Sequence, residues 1–221
     1  MNTANRNLVM LAKKTPRKIV IDGNLDEWSS AEKVSFDDGV PLLYRRSATV
    51  YTLWDNEYLY IAFDVNRRNP HAKVTTHDGD NLWLDDGIEF LIDAKNDGGD
   101  LFMPDDIAYH INILNAVYDD RGTGKDEQDI SWNGNAIHQV KLKTDSGGEV
   151  SGYCCEAAVP WDELGITPIE DSTVIGIDFC VNGTDDLTGK YHYFDWAGLK
   201  IFHHPNGFGK LRLVGPDDFF E

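Results

Sequence analysis

The sequence predicts an all-β protein, an antiparallel β-sandwich of jelly-roll or immunoglobulin-like type, and three observations carry that prediction. Apolar residues alternate with a period of two along most hydrophobic stretches. Helical signal is confined to short turns at residues 25–31 and 161–164, the second opened by Pro160 and closed by Gly165. Roughly ten short runs are separated by links rich in Asp, Gly, Asn and Pro, which suits stacked sheets.

Taken in order, residues 17–21 form the first expected strand. Residues 47–53 and 57–65 follow as a hairpin across Asp55-Asn56, a short polar turn after Trp54. Leu59, Ile61, Phe63 and Val65 share one face of the second strand, while Tyr58, Tyr60, Ala62 and Asp64 share the other. Residues 87–93 turn Ile88, Phe90 and Ile92 inward and Glu89 and Asp93 outward. Residues 107–114 do the same with Ile107, Tyr109, Ile111 and Ile113 against His110 and Asn112. In residues 173–182, Ile175, Ile177, Phe179 and Val181 oppose Asp178, Cys180 and Asn182. Further strands are expected at 136–142, 153–159, 191–196 and 210–214. The basic first fifteen residues read as a flexible arm, so the organisation is an arm over 1–15 and one domain over 16–221, without internal repeats. Long links at 66–82, 94–106, 119–134 and 197–208 are where function is expected to sit.

Hydrophobic residues make up 41% of the 221 and aromatics 11%, with six Trp, which supports a packed core and excludes a disordered chain. Lys and Arg number 20 against 38 Asp and Glu, a net charge of −18 that repels phosphate and anionic lipid. Nucleic acid and membrane are therefore excluded as partners, and a monomer is expected. Three Cys define neither a disulfide framework nor a zinc site. No apolar run is long enough for a membrane span, and no signal peptide is visible at the N-terminus; a cytoplasmic protein and one with a trimmed signal both fit.

Several catalytic or metal readings fail on their residues. The window from Asp78 to Glu89 places acids like an EF-hand loop, but Leu82 and Trp83 stand where an oxygen ligand and a Gly are needed. Glu89, Glu156, Asp178 and Asp195 lie on or near strands where a glycosidase pair could form, a coincidence to be expected among 38 acids. No nucleophile elbow is present, and His110 and the doublet His203-His204 lack metal-ligand spacing. The aromatics say more. Trp83, Trp196 and Phe202 stand on loops or strand ends near Glu89, His110 and Asn112, which together offer flat apolar faces and polar rims of the kind a pyranose needs. Trp28, Trp54 and Trp161 lie inside elements and are expected in the core.

The ordered pieces IDGNLDEW, LWDNEYLYIAFDV, NLWLDDGIEFLID, GYCCEAAVPWDELG, VNGTDDLTGKYHYFDWAG and HHPNGFGKLRLV resemble the family 9 carbohydrate-binding modules over nearly the whole chain. The resemblance implies a non-catalytic β-sandwich that assists polysaccharide degradation by holding an oligo- or polysaccharide, at a chain end, between two aromatic rings. Trp83 matches the first ring and Glu89 the carboxylate that binds sugar hydroxyls. Phe202 stands where the best-known members carry a second Trp, and His110 where they carry an Arg. The resemblance implies no required cofactor, leaves calcium open, and suggests a secreted or periplasmic setting. Similar proteins often carry a calcium-associated acidic loop where this chain has Asn66-Arg67-Arg68, so that metal site is not carried over. Two alternatives are a carbohydrate-active hydrolase using a carboxylate pair and an electron-transfer sandwich binding haem b, with Met103 and His110 as candidate ligands.

Overall fold

The computed structural model describes residues 8–40, 45–184, 188–199 and 201–216. Among them are thirteen strands: β1 (Val9–Lys14), β2 (Glu32–Asp37), β3 (Ser47–Trp54), β4 (Tyr58–Asn66), β5 (Gly87–Asp93), β6 (Asp106–Asn112), β7 (Val117–Gly122), β8 (Gln128–Asp129), β9 (Ile137–Thr144), β10 (Val150–Pro160), β11 (Val174–Thr184), β12 (Tyr191–Asp195) and β13 (Gly209–Val214). Short 3-10 turns occur at Asp26–Ser30, Leu82–Leu84 and Pro205–Gly207. The hydrogen-bonded order is β8-β7-β6-β5-β11-β13-β1-β3-β4-β10-β9, with β12 also on β11 and β2 on β3. This single ladder curls into two facing layers. Phe63 of β4 meets Phe179 of β11 edge to face at 5.8 Å, Phe36 of β2 meets Phe194 of β12 at 5.7 Å, and the Tyr153 hydroxyl of β10 donates to the Gly87 carbonyl of β5 at 2.9 Å.

The inward-alternating residues all meet in that core. Leu59, Ile61, Phe63, Ile88, Phe90, Ile92, Tyr109, Ile111, Ile175, Ile177 and Phe179 are buried in one cluster between the layers. The outer faces are covered too, by Ile19, Trp28, Leu53 and Tyr60 on one layer and by Leu91, Phe102, Leu199 and Phe208 on the other. Strands β5 and β6 are consequently buried at every residue. Glu156, on the outer face of β10, ties down the segment before β2. It accepts the Asp22 and Gly23 amides at 2.9 and 2.5 Å and the Trp28 indole at 2.7 Å. That network explains why IDGNLDEW reads as a unit.

Three expectations are corrected. Residues 9–14 of the supposed flexible arm form β1, which pairs parallel with both β13 and β3, so the sandwich is not antiparallel throughout. Met10 and Ala12 point inward there, a short alternation masked by its Asn- and Lys-rich flanks; residues 1–7 lie outside the described ones. Residues 17–21 alternate without pairing as a strand, because the Glu27 carboxylate takes the Val20 amide at 3.1 Å. The short turn expected at residues 161–164 is present, hydrogen-bonded and anchored by the Trp161 indole on the Asp55 carbonyl at 2.8 Å. The link at 119–134 contains part of β7 and β8, whose Asp-rich sequence hides the alternation.

Trp54 is fully buried, its indole donating to the Val214 carbonyl at 3.1 Å. Trp54→Ala is expected to cost about 3–5 kcal/mol in urea unfolding. Glu156→Ala strands three donors and is expected to cost about 2 kcal/mol or more. An unchanged midpoint in either variant contradicts that residue's structural role.

Candidate functional site

The site grows from register. In adjacent strands β11, β5, β6 and β7, Cys180, Glu89, His110 and Tyr118 stand side by side on the face away from the core. Glu89 and His110 are only 1% and 8% exposed, and they pair through Oε1 and Nε2 at 3.0 Å. Asn182 extends the network, donating to Glu89 Oε2 at 3.1 Å while its carbonyl oxygen accepts the Tyr191 hydroxyl at 3.1 Å and the Cys180 thiol at 3.3 Å. Burial pushes the Glu89 carboxyl up, but the His110 charge and hydrogen bond, with His203 and Asn182, hold it below its ordinary value. Burial likewise lowers His110, and Glu89 overrides it to leave the imidazole above its ordinary value. Each partner keeps the other charged.

Over this floor lies a pocket of about 210 Å³ walled by Trp83, Tyr118, Asp120, Gln128, Tyr191, Phe202 and His203. Trp83 sits in the Leu82–Leu84 turn, entered through Asn81 in the left-handed region at φ 62°. Asp85 closes the turn by accepting the Lys73 and Val74 amides at 3.0 and 2.9 Å. The Trp83 ring meets Tyr118 edge to face at 5.5 Å, and Phe202 meets Tyr193 at 4.6 Å. His203 Nε2 and Asp120 Oδ1 approach to 3.5 Å, and both are buried atoms without a hydrogen bond, as is Glu89 Oε1 beyond its ion pair. Polar atoms in that condition favour a ligand that brings hydroxyls.

Four of the six expected residues meet here: Trp83, Glu89, His110 and Phe202. The structure places the other two elsewhere. Asn112 donates to Asp85 at 2.9 Å and to the Val74 carbonyl at 2.8 Å, and it accepts the Leu114 and Ala116 amides, both at 3.0 Å. Its amide is fully occupied, so it braces the turn that carries Trp83. Trp196 packs on Phe179 at 5.6 Å against the core. Its parity is that of the buried Phe194, while Tyr191 and Tyr193 take the outer face. Sequence reasoning missed Tyr118, Asp120, Gln128, Tyr191 and His203. The YHYF alternation was the available signal for Tyr191; the DD of β7 resembled a solvated loop.

The alternative site residues have other employment. Glu156 is the staple described above, and Asp178, fully buried, accepts the Ala197 amide at 2.9 Å. Asp195 accepts the Leu199 amide at 2.7 Å. His110 Nε2, needed for a haem ligand, is held by Glu89. At Asn66-Arg67-Arg68 the residues do not fit calcium: Arg67 Nε donates to the buried Asp86 at 3.0 Å and its Nη2 to the Thr184 carbonyl at 3.2 Å, so a guanidinium already neutralises that carboxylate. No helix among the described residues is long and apolar enough to cross a membrane.

Fold and pocket together define a β-sandwich with a polar-floored, aromatic-walled pocket. Residues 21–216 match the family described as "Carbohydrate family 9 binding domain-like", and the chain belongs to it: a non-catalytic carbohydrate-binding module. It is 30% identical over 200 residues to endo-1,4-beta-xylanase A of Thermoanaerobacterium saccharolyticum, covering 89% of this chain and 15% of that protein. It is 29% identical over 212 residues to endo-1,4-beta-xylanase A of Thermotoga maritima, covering 93% and 18%. The chain thus spans less than a fifth of these relatives. Among solved structures, a family 9 module from Caldicellulosiruptor kristjanssonii in complex with cellotriose superposes with TM-score 0.71 at 21% identity, covering 95% of each chain. The same organism's module in complex with glucose superposes with TM-score 0.72 at 20% identity, covering 95% and 97%.

The Glu89–His110 pair sets a pH window. The Glu89 contribution is present above its ordinary value of 4.5 and is lost as pH falls through its depressed folded value. The His110 contribution is present below 6.5 and is lost as pH rises through its raised folded value. His110→Ala is expected to cost about 3–5 kcal/mol near pH 6, by leaving Glu89 buried and unpaired, and less at pH 9. Urea unfolding at both pH values checks this; an equal loss at both contradicts it.

Proposed function

We propose that this domain binds the end of a β-1,4-linked glucose or xylose chain in the pocket over Glu89 and His110. The observation that carries the reading is the convergence on one pocket of two aromatic rings, Trp83 and Phe202, and two carboxylate–imidazole pairs, Glu89–His110 in the floor and Asp120–His203 in the wall. Rings offer the pyranose faces a dry surface, and the buried polar atoms exchange hydrogen bonds with its hydroxyls. The pocket is small, which suits a terminal sugar better than a long internal segment. The xylanase relatives and the cellotriose and glucose complexes of the structural neighbours support the choice of sugars. As part of this reading, the domain works outside the cytoplasm, secreted or periplasmic, attached to or beside an enzyme that cuts the polymer.

Calorimetric titration with cello- and xylo-oligosaccharides, each with intact and borohydride-reduced ends, tests the proposal. Dissociation constants on the order of micromolar to millimolar are expected, because hydroxyl desolvation offsets most of each polar gain. Trp83 is half-buried at the pocket wall, so Trp83→Ala is expected to weaken binding by about 1–3 kcal/mol with little change in melting temperature. Glu89→Gln is expected to weaken binding too, and its burial means that some stability goes with it. Unchanged sugar affinity in folded Trp83→Ala sinks the assignment.

For calcium, the set that suits a hard cation is Asp93, Asp97 and Asp105, whose carboxylate oxygens lie within 4.8 Å of one another. Asp106, opposite Asp93 in register, is pushed up to about 7 by burial, with a smaller push from the neighbouring acids. A raised carboxyl contributes stability below 3.8 that is lost as pH rises through about 7. Millimolar calcium is therefore expected to raise the melting temperature more at pH 8 than at pH 5, as thermal unfolding with and without chelator measures.

A further inference from the structure

We infer that His77, Asp78 and Asp119 form a site for a divalent transition-metal ion of the zinc type, on the side of β7 opposite the sugar pocket. His77 Nε2 stands 3.4 Å from Asp119 Oδ1 and 3.5 Å from Asp78 Oδ1, and the three atoms lie within 4.8 Å of one another. Metal–ligand bonds of about 2.0–2.1 Å in a tetrahedron put neighbouring ligands about 3.3 Å apart, so these edges need little adjustment. One imidazole among two carboxylates selects the ion: calcium sites are built from oxygen, whereas imidazole suits zinc, nickel and copper. A water completes the four ligands, as in zinc sites with three protein groups.

The surroundings hold the ligands as a metal site requires. Asp119 is 1% exposed, and its second oxygen accepts the Gly134 amide at 3.0 Å, which aims Oδ1 at the cluster. Asp78 Oδ1 is a buried atom with no hydrogen bond, and the Asp78 amide is anchored to the Val117 carbonyl at 2.9 Å. The ion would also have a structural consequence. Tyr118 and Asp120 face the pocket while Asp119 faces away, and His77 and Asp78 begin the loop that leads to Trp83. Bridging them joins two walls of the pocket.

Titration calorimetry with zinc chloride on the whole chain, without sugar, tests the site. Wild type is expected to take up one equivalent that His77→Ala and Asp78→Asn each lose or bind at least tenfold more weakly. Both residues are partly exposed, so these variants keep the fold, which circular dichroism confirms. With cobalt as probe, tetrahedral visible bands are expected in wild type and not in His77→Ala. The assignment is overturned if wild type takes up no zinc, if both variants keep the wild-type stoichiometry and affinity, or if millimolar calcium displaces the zinc.

Discussion

The buried pairing of Glu89 with His110 is the interaction on which the pocket depends. Strands β5 and β6 are covered on both faces, so a carboxylate and an imidazole in their middle can exist only as mutual partners within a hydrogen-bonded network. Asn182, Tyr191 and Cys180 complete that network and draw β11 and β12 into the same floor. Because the pair neutralises itself, it presents directed hydrogen bonding to the pocket instead of a net charge.

The acidity of the chain takes a different meaning once the carboxylates are placed. Glu156, Asp195, Asp85 and Asp86 spend their oxygens on backbone amides, an indole or a guanidinium, and thereby fix the turns between strands. A charged acceptor to several amides is a strong local constraint in a protein with little helix to organise its loops. Such acids are structural, and they account for candidate catalytic pairs that a count of residues alone suggests.

The strands at Gly87–Asp93, Tyr58–Asn66 and Val174–Thr184 were legible because each presents a long apolar alternation, and residues such as Phe63, Phe90 and Phe179 could face only the core. β1 and β7 were not legible, since Met10 and Ala12 make a short signal and Asp119-Asp120 mimic a solvated loop. Trp83, Glu89, His110 and Phe202, singled out through ring chemistry, outward parity and family resemblance together, are brought to one pocket. Trp196 was misplaced because a strand-end Trp can continue either face; in this fold it follows Phe194 inward.

Local alternation and composition determined, from the sequence by itself, the β class and the inward faces, since these depend only on neighbours along the chain. Tertiary structure alone decided that β1 joins the two layers in parallel. It also decided that Asn112 braces a turn while Tyr118, Asp120, Tyr191 and His203 wall the pocket. The reason is that pairing between strands distant in the chain sets which outward side chains become neighbours, and period two says only that they point outward.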